Sequence, residues 1–172
     1  DLFWRMAPNV ELGYTPEDWQ KAFGYFQRFN VDTGVEDIQS AITTLREQAF
    51  VSPHVGVMGF CLGGKLAYLS ACRTDADVAI GYYGVGIEDA LDEAQHLHCP
   101  LVLHIAQRDK YCDRAAQEKI RHGLEHRDKV QVWLYPDADH AFARPGGEHY
   151  HQASADLALE RSLSALQHAL SS

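Results

Sequence analysis

Val55-Gly56-Val57-Met58-Gly59-Phe60-Cys61-Leu62-Gly63-Gly64 lies near the first third of the 172-residue chain. An apolar, partly β-branched run enters this stretch and an apolar helical pattern leaves it, with Gly-x-Cys-x-Gly-Gly between them. That is the form of a nucleophile elbow, a tight strand-to-helix turn that lifts one side chain above the edge of a sheet. Such a turn forces its central residue into a strained backbone conformation, and the flanking glycines let neighbouring backbone pass close by. A thiol at this point sits at a helix N-terminus, where the positive end of the dipole favours thiolate. The commoner use of a lone cysteine is as a small buried apolar group, so the reading depends on whether partners exist elsewhere in the chain.

Upstream of the elbow, Thr15-Pro16-Glu17-Asp18 starts a helix, with Thr at the N-cap and Pro at the first helical position. Trp19, Ala22, Phe23 and Phe26 then fall on one helical face. A second helix is expected from near Thr33, with Glu36 completing a capping box and Val35, Ile38, Ile42, Leu45 and Ala49 turned inward. Ser52-Pro53 stops it. Downstream, a helix runs from Leu62 to about Cys72, and Val78 to Tyr83 is an apolar strand closed by Gly84 and Gly86. A short helix follows from Ile87 to about Gln95, then a strand from Leu101 to Ile105. Asp113 caps a helix reaching about His126, and Val130 to Tyr135 forms another strand. A last helix spans about Tyr150 to Ala169 and carries Leu159, Leu163, Leu166 and Leu170 on one face. Near-continuously apolar strands alternating with helices predict an α/β fold: a mostly parallel sheet covered on both faces by helices. No linker, repeat or low-complexity tract interrupts residues 1–172, which read as a single domain.

Fifteen basic against 24 acidic residues leave a net charge of −9. That argues against general electrostatic binding to nucleic acid or to an anionic membrane. An anionic ligand would need a local arginine site. No apolar run approaches the length of a membrane span. Cys61, Cys72, Cys99 and Cys112 show neither C-x-x-C spacing nor the density of a disulfide framework, so a reducing cytoplasm is the simpler setting. His96-x-His98-Cys99 puts ligand-type side chains on one face of an extended segment, but no fourth ligand is placed by spacing. Gly81-x-x-Gly84-x-Gly86 has the wrong glycine order for a dinucleotide fingerprint. No cofactor or metal is expected.

In open parallel sheets, chemistry collects at the carboxyl ends of the strands. One strand ends at Cys61. The strand to Ile105 is followed by Ala106-Gln107-Arg108-Asp109, and the strand to Tyr135 by Pro136-Asp137-Ala138-Asp139-His140. The chain order is nucleophile, acid, histidine, the order seen in α/β-hydrolases. A cysteine nucleophile needs a base to take its proton, and the base needs an acid to fix its tautomer. On spacing alone, Asp113, Asp137 and Asp139 compete with Asp109 for that last position. His140 stands out among ten histidines because it follows a strand in a compact loop flanked by apolar residues.

Gly59-Phe60-Cys61-Leu62-Gly63-Gly64, Gly81-Tyr82-Tyr83-Gly84-Val85-Gly86, Asp139-His140-Ala141-Phe142-Ala143-Arg144 and the opening Asp1-Leu2-Phe3-Trp4-Arg5 resemble the dienelactone hydrolase (carboxymethylenebutenolidase) family. The likeness runs the whole length of the chain. It implies an α/β-hydrolase-like fold and hydrolysis of a small carboxylate-bearing ester or lactone through a thioester. Cys61 would be the nucleophile, His140 the base and Asp109 its orienter. The Leu62 N–H would serve the oxyanion hole, Arg5 and Arg144 would grip the substrate carboxylate, and Tyr82 would line the pocket. Lys110-Tyr111-Cys112-Asp113 departs from the family, in which a Val-Pro pair is usual.

The resemblance also implies further strands before residue 1, bringing a second oxyanion donor and a partner for the outer edge of the strand at Val55 to Gly59. The 172 residues are therefore expected to be the C-terminal part of a longer protein, or to receive that edge from a partner chain or a second copy. Two alternatives stand beside the lactone reading. One is a general carboxylesterase or thioesterase of the same fold. The other is a non-catalytic α/β fragment that associates through the exposed sheet edge.

Overall fold

The structure, a computed structural model, describes residues 1–171; Ser172, the last residue of the predicted domain, lies outside them. Four strands form one sheet in the order β1-β2-β3-β4: β1 (Gly56–Phe60), β2 (Val78–Tyr82), β3 (Leu101–Ala106) and β4 (Val130–Tyr135). Every pairing is parallel, with Gly56 opposite Val78, Ala79 opposite Leu101 and Leu101 opposite Val130. Parallel neighbours need crossovers. These are α3 (Leu62–Arg73), two short 3₁₀ turns (Ile87–Asp89 and Leu91–His96) and α4 (Arg114–Leu124). Before the sheet come α1 (Pro16–Arg28) and α2 (Val31–Arg46), and after it α5 (Gln152–Leu170).

Alternation along the strands divides the core. Leu101, Leu103 and Ile105 of β3 join Ala79, α3 and α4 on one face, with Val35 of α2 among them. Val102 and Ala106 join Val78, Ile80 and Tyr82 on the other face, where α5 lies. β2 and β3 are buried throughout, as central parallel strands should be. β1 forms one border of the sheet, and its Met58 and Phe60 are half exposed. The sequence reading expected an unpaired edge here.

The caps at Thr15 and Asp113 stand as expected, accepting hydrogen bonds from the Asp18 and Ala116 N–H groups. α2 starts earlier than the capping-box reading placed it. Asn30 is its cap, accepting the Thr33 N–H at 3.1 Å, which puts Thr33 inside the first turn. The helix also ends at Arg46, so Ala49 lies beyond it, and Leu45 is 45% exposed.

α5 differs most from its sequence pattern. Leu159 and Leu163 face solvent, while Ser154, Ala158 and Ser162 are buried. Small residues let α5 sit close to the sheet, and hydroxyl chemistry fixes which face turns inward. Ser162 Oγ lies 2.7 Å from the Tyr82 hydroxyl and 2.9 Å from His104 Nε2, while His104 Nδ1 meets the Tyr135 hydroxyl at 2.9 Å. Burial holds His104 neutral, its pKa pushed down to about 3 with help from Arg161. A buried polar group left without such partners would cost about 1–3 kcal/mol. The polar residues therefore set this helix face more strongly than the leucines do.

Candidate active site

The elbow is built by close backbone contact. A Cβ at Gly59 would lie 1.9 Å from the Gly63 carbonyl oxygen, and one at Gly64 would lie 2.6 Å from the Tyr82 carbonyl oxygen. Only glycine at both positions lets α3 start directly against the ends of β1 and β2. Cys61 sits between them at φ 56° and ψ −116°, with its N–H donating to the Tyr82 carbonyl at 3.0 Å. For a residue with a Cβ this conformation costs of order 1–3 kcal/mol. It persists because the contacts on either side leave no other path for the chain. Leu62 follows as the first residue of α3, where a backbone N–H has no intrahelical acceptor.

The other two strand ends deliver the partners. His140 Nδ1 lies 2.7 Å from Asp109 Oδ2, with the Asp109 side chain 1% and the His140 side chain 15% exposed. The second Asp109 oxygen accepts the Tyr111 N–H at 2.8 Å, so both oxygens have partners. Burial works against charge on the imidazole, but hydrogen bonds to Asp109 and Cys61 outweigh it and hold the His140 pKa up at about 9. Asp113, Asp137 and Asp139 play other parts: Asp113 caps α4, Asp137 pairs with Arg108, and the Asp139 carbonyl accepts the Phe142 N–H.

Two buried side chains position these loops. Gln117 on α4 donates to the Cys112 carbonyl at 2.7 Å and to the Ala106 and Gln107 carbonyls at 3.3 Å, stapling the loop that carries Asp109. Phe142 is fully buried against Tyr135 and Tyr83, anchoring the loop that carries His140. Sequence reasoning passed over Gln117. The available signal was an uncharged polar residue on the inward face of a helix next to a strand end.

Cys61, Leu62 and His140 open onto a chamber of about 720 Å³. Its walls are mostly apolar and rich in aromatic rings. Tyr83 and Tyr111 meet the His140 ring edge-on from two sides, at centroid distances of 5.1 and 4.9 Å. Trp19, Phe23 and Phe26 of α1 supply the facing wall, and Arg144 lies at its edge with its guanidinium 4.3 Å from the centre of the Tyr14 ring.

Two expectations need correction. Arg5 does not reach the chamber: its Nε and Nη2 grip both oxygens of Asp37, at 2.9 and 2.7 Å, and the Trp4 indole N–H shares that carboxylate. Tyr82 points to the opposite side of the sheet, into the α5 face. Its neighbour Tyr83, at φ 38°, lines the chamber in its place. Among the described residues no group of three potential metal ligands comes together. His151 is the N-cap of α5.

The model of the dienelactone hydrolase family matches residues 1–170. The chain belongs to that family. Carboxymethylenebutenolidase 1 of Cupriavidus pinatubonensis is 35% identical over 167 residues, which cover 96% of this chain and 71% of that protein. Carboxymethylenebutenolidase of Pseudomonas putida is 36% identical over 166 residues, 95% of this chain and 70% of its own.

Among solved structures, a dienelactone hydrolase-like promiscuous phosphotriesterase from metagenomic libraries superposes with a TM-score of 0.76 at 16% identity, covering 95% of this chain and 72% of that one. A Klebsiella pneumoniae protein reaches 0.81 at 22% identity, covering 95% and 71%. These likenesses show the α/β-hydrolase fold of the dienelactone hydrolases, and the family makes the chain a hydrolase acting on a small-molecule substrate. No helix among the described residues is long and apolar enough to cross a membrane.

Proposed function

We propose that residues 1–172 form one domain that hydrolyses a carboxylate-bearing ester or lactone through a thioester on Cys61. The observation that carries this reading is the 2.7 Å contact between His140 Nδ1 and the buried Asp109, made beside the strained Cys61. With Nδ1–H donated to Asp109, His140 Nε2 is the nitrogen left to serve the sulfur. Its raised proton affinity suits it to take the thiol proton and hold it as imidazolium. The sulfur adds to the substrate carbonyl carbon, and the Leu62 N–H donates to the oxygen as it gains charge. Collapse breaks the carbon–oxygen bond of the ester, the leaving oxygen takes the proton from His140, and a thioester remains. Water then gives a proton to His140 and adds to the thioester carbon. The carbon–sulfur bond breaks, the acid leaves, and the proton returns to the sulfur.

Arg144, which lines the chamber, would hold the substrate carboxylate. The four cysteines are unpaired, which suits a reducing compartment such as the cytoplasm. Replacing Cys61 tests the scheme: Cys61→Ala in the intact protein is expected to abolish lactone and ester turnover, while its thermal midpoint stays close to that of the parent. Turnover at the parental rate would reject the mechanism.

A further inference from the structure

α1 has an apolar face but no buried residue. Trp19 and Phe23 are 51% and 43% exposed, and their rings stack in file with Phe26, at centroid spacings of 5.8 and 6.3 Å. Such a face normally closes on a core. Here it faces a chamber that also holds Cys61 and His140, with Phe60, Tyr83 and Tyr111 around the remaining sides. Arg144 supplies the cationic side chain of this wall, since Arg5 is held by Asp37. A volume of about 720 Å³ lies within the range of sites that enclose a drug-sized molecule. Flat rings against aromatic faces gain both apolar burial and favourable ring geometry.

We propose that the site takes a lactone or ester with a fused or pendant aromatic ring and one free carboxylate, the ring lying against Trp19 and Phe23 and the carboxylate against Arg144. This deepens the hydrolase reading and rests on it for the chemistry. Tyr111 contributes to the same selection from the loop behind His140, by closing the chamber with an aromatic edge.

The test uses two lactones that differ only in that ring: a butenolide with a carboxylate on its saturated ring carbon, and phthalide with a carboxylate at the equivalent carbon. With each kcat/KM divided by the rate of the same lactone with hydroxide, the parent protein is expected to favour the benzo-fused lactone by about tenfold. Trp19→Ala should cut that preference about fivefold or more, and Trp19→Phe should keep it within about twofold of the parent. Equal efficiency on both lactones, or a preference untouched in Trp19→Ala, overturns the proposal and leaves the hydrolase reading standing.

Calorimetry on Cys61→Ala with the two ring-opened products reads the chamber without the chemistry. There the aromatic product is expected to bind about tenfold tighter. That result with no turnover of either lactone by the parent protein would sink the hydrolase reading alone, and equal binding would sink the proposal.

Discussion

α3 and α1 both border the chamber that holds Cys61 and are built in opposite ways. Nine of the twelve residues of α3 are buried, and its first turn is wedged against β1 and β2 with no room for a Cβ at Gly59 or Gly64. α1 buries none of its residues and spends its aromatic face on an open chamber. A helix locked into the core fixes atoms to the tolerance that bond-making needs. A helix that buries no residue and reaches the core through Phe26 leaves Trp19 and Phe23 free to vary with the molecule to be bound, since few core contacts depend on them. Chemistry and selection are thus carried on separate pieces of the chain, and substitutions on the two sides should fail in different ways.

The largest effect is expected on the locked side. Asp109→Asn keeps the side-chain shape but removes the charge that fixes the His140 tautomer, and kcat/KM should fall by about 10⁴-fold, as in other acid–histidine–nucleophile sites. The same variant sharpens the assignment through its pH profile. Imidazolium at residue 140 is needed to protonate the leaving oxygen, so activity should be present below the His140 pKa and be lost as pH rises through about 9. Without Asp109, which raises that pKa, the alkaline limb should move to lower pH. A limb that stays in place would detach the titration from His140.

Next in size is Gly59→Ala. A methyl group 1.9 Å from the Gly63 carbonyl oxygen forces α3 off the sheet, and a loss of about 3–5 kcal/mol in stability is expected by analogy with severe core strain. Thermal denaturation should show it as a drop of about 10 °C or more. The smallest effect belongs to α1. Trp19→Ser and Phe23→Ser should each cost about 1 kcal/mol or less, a shift of only a few degrees. If they destabilise as strongly as Gly59→Ala, α1 is part of the scaffold and the contrast collapses.

Much of this layout was legible in the residues. β4 runs over the predicted Val130 to Tyr135, and β3 extends one residue past its predicted end. Both followed from apolar runs bounded by polar turns. That an acid and a histidine share one rim followed from chain order, because parallel strands must all end on the same side; that the acid is Asp109 rather than Asp113, Asp137 or Asp139 was what the family resemblance implied. What failed was whatever depends on direction rather than position. Tyr82 and Tyr83 are adjacent and identical, and nothing in Gly-Tyr-Tyr-Gly says which one keeps the strand alternation and which turns at positive φ. Arg5 meets its partner Asp37 across 32 residues of sequence, and no local period announces such a pair. The leucines of α5 gave a correct helix but an incomplete inward face: Leu166 and Leu170 pack on the sheet while Leu159 and Leu163 face solvent, because the hydroxyl of Ser162 satisfies buried His104 and Tyr82 and apolar counting ignores it.

The distribution of sulfur has a practical consequence. Cys72, Cys99 and Cys112 are sealed in the interior, where burial pushes their thiols up to about 11, 11 and 12. Cys61 alone of the four is half-buried and opens onto the chamber. A maleimide dye therefore has one natural attachment point in the folded protein, with no engineering of the other three positions. Once attached, its emission would report how wet or crowded the space over α1 becomes as candidate molecules are added.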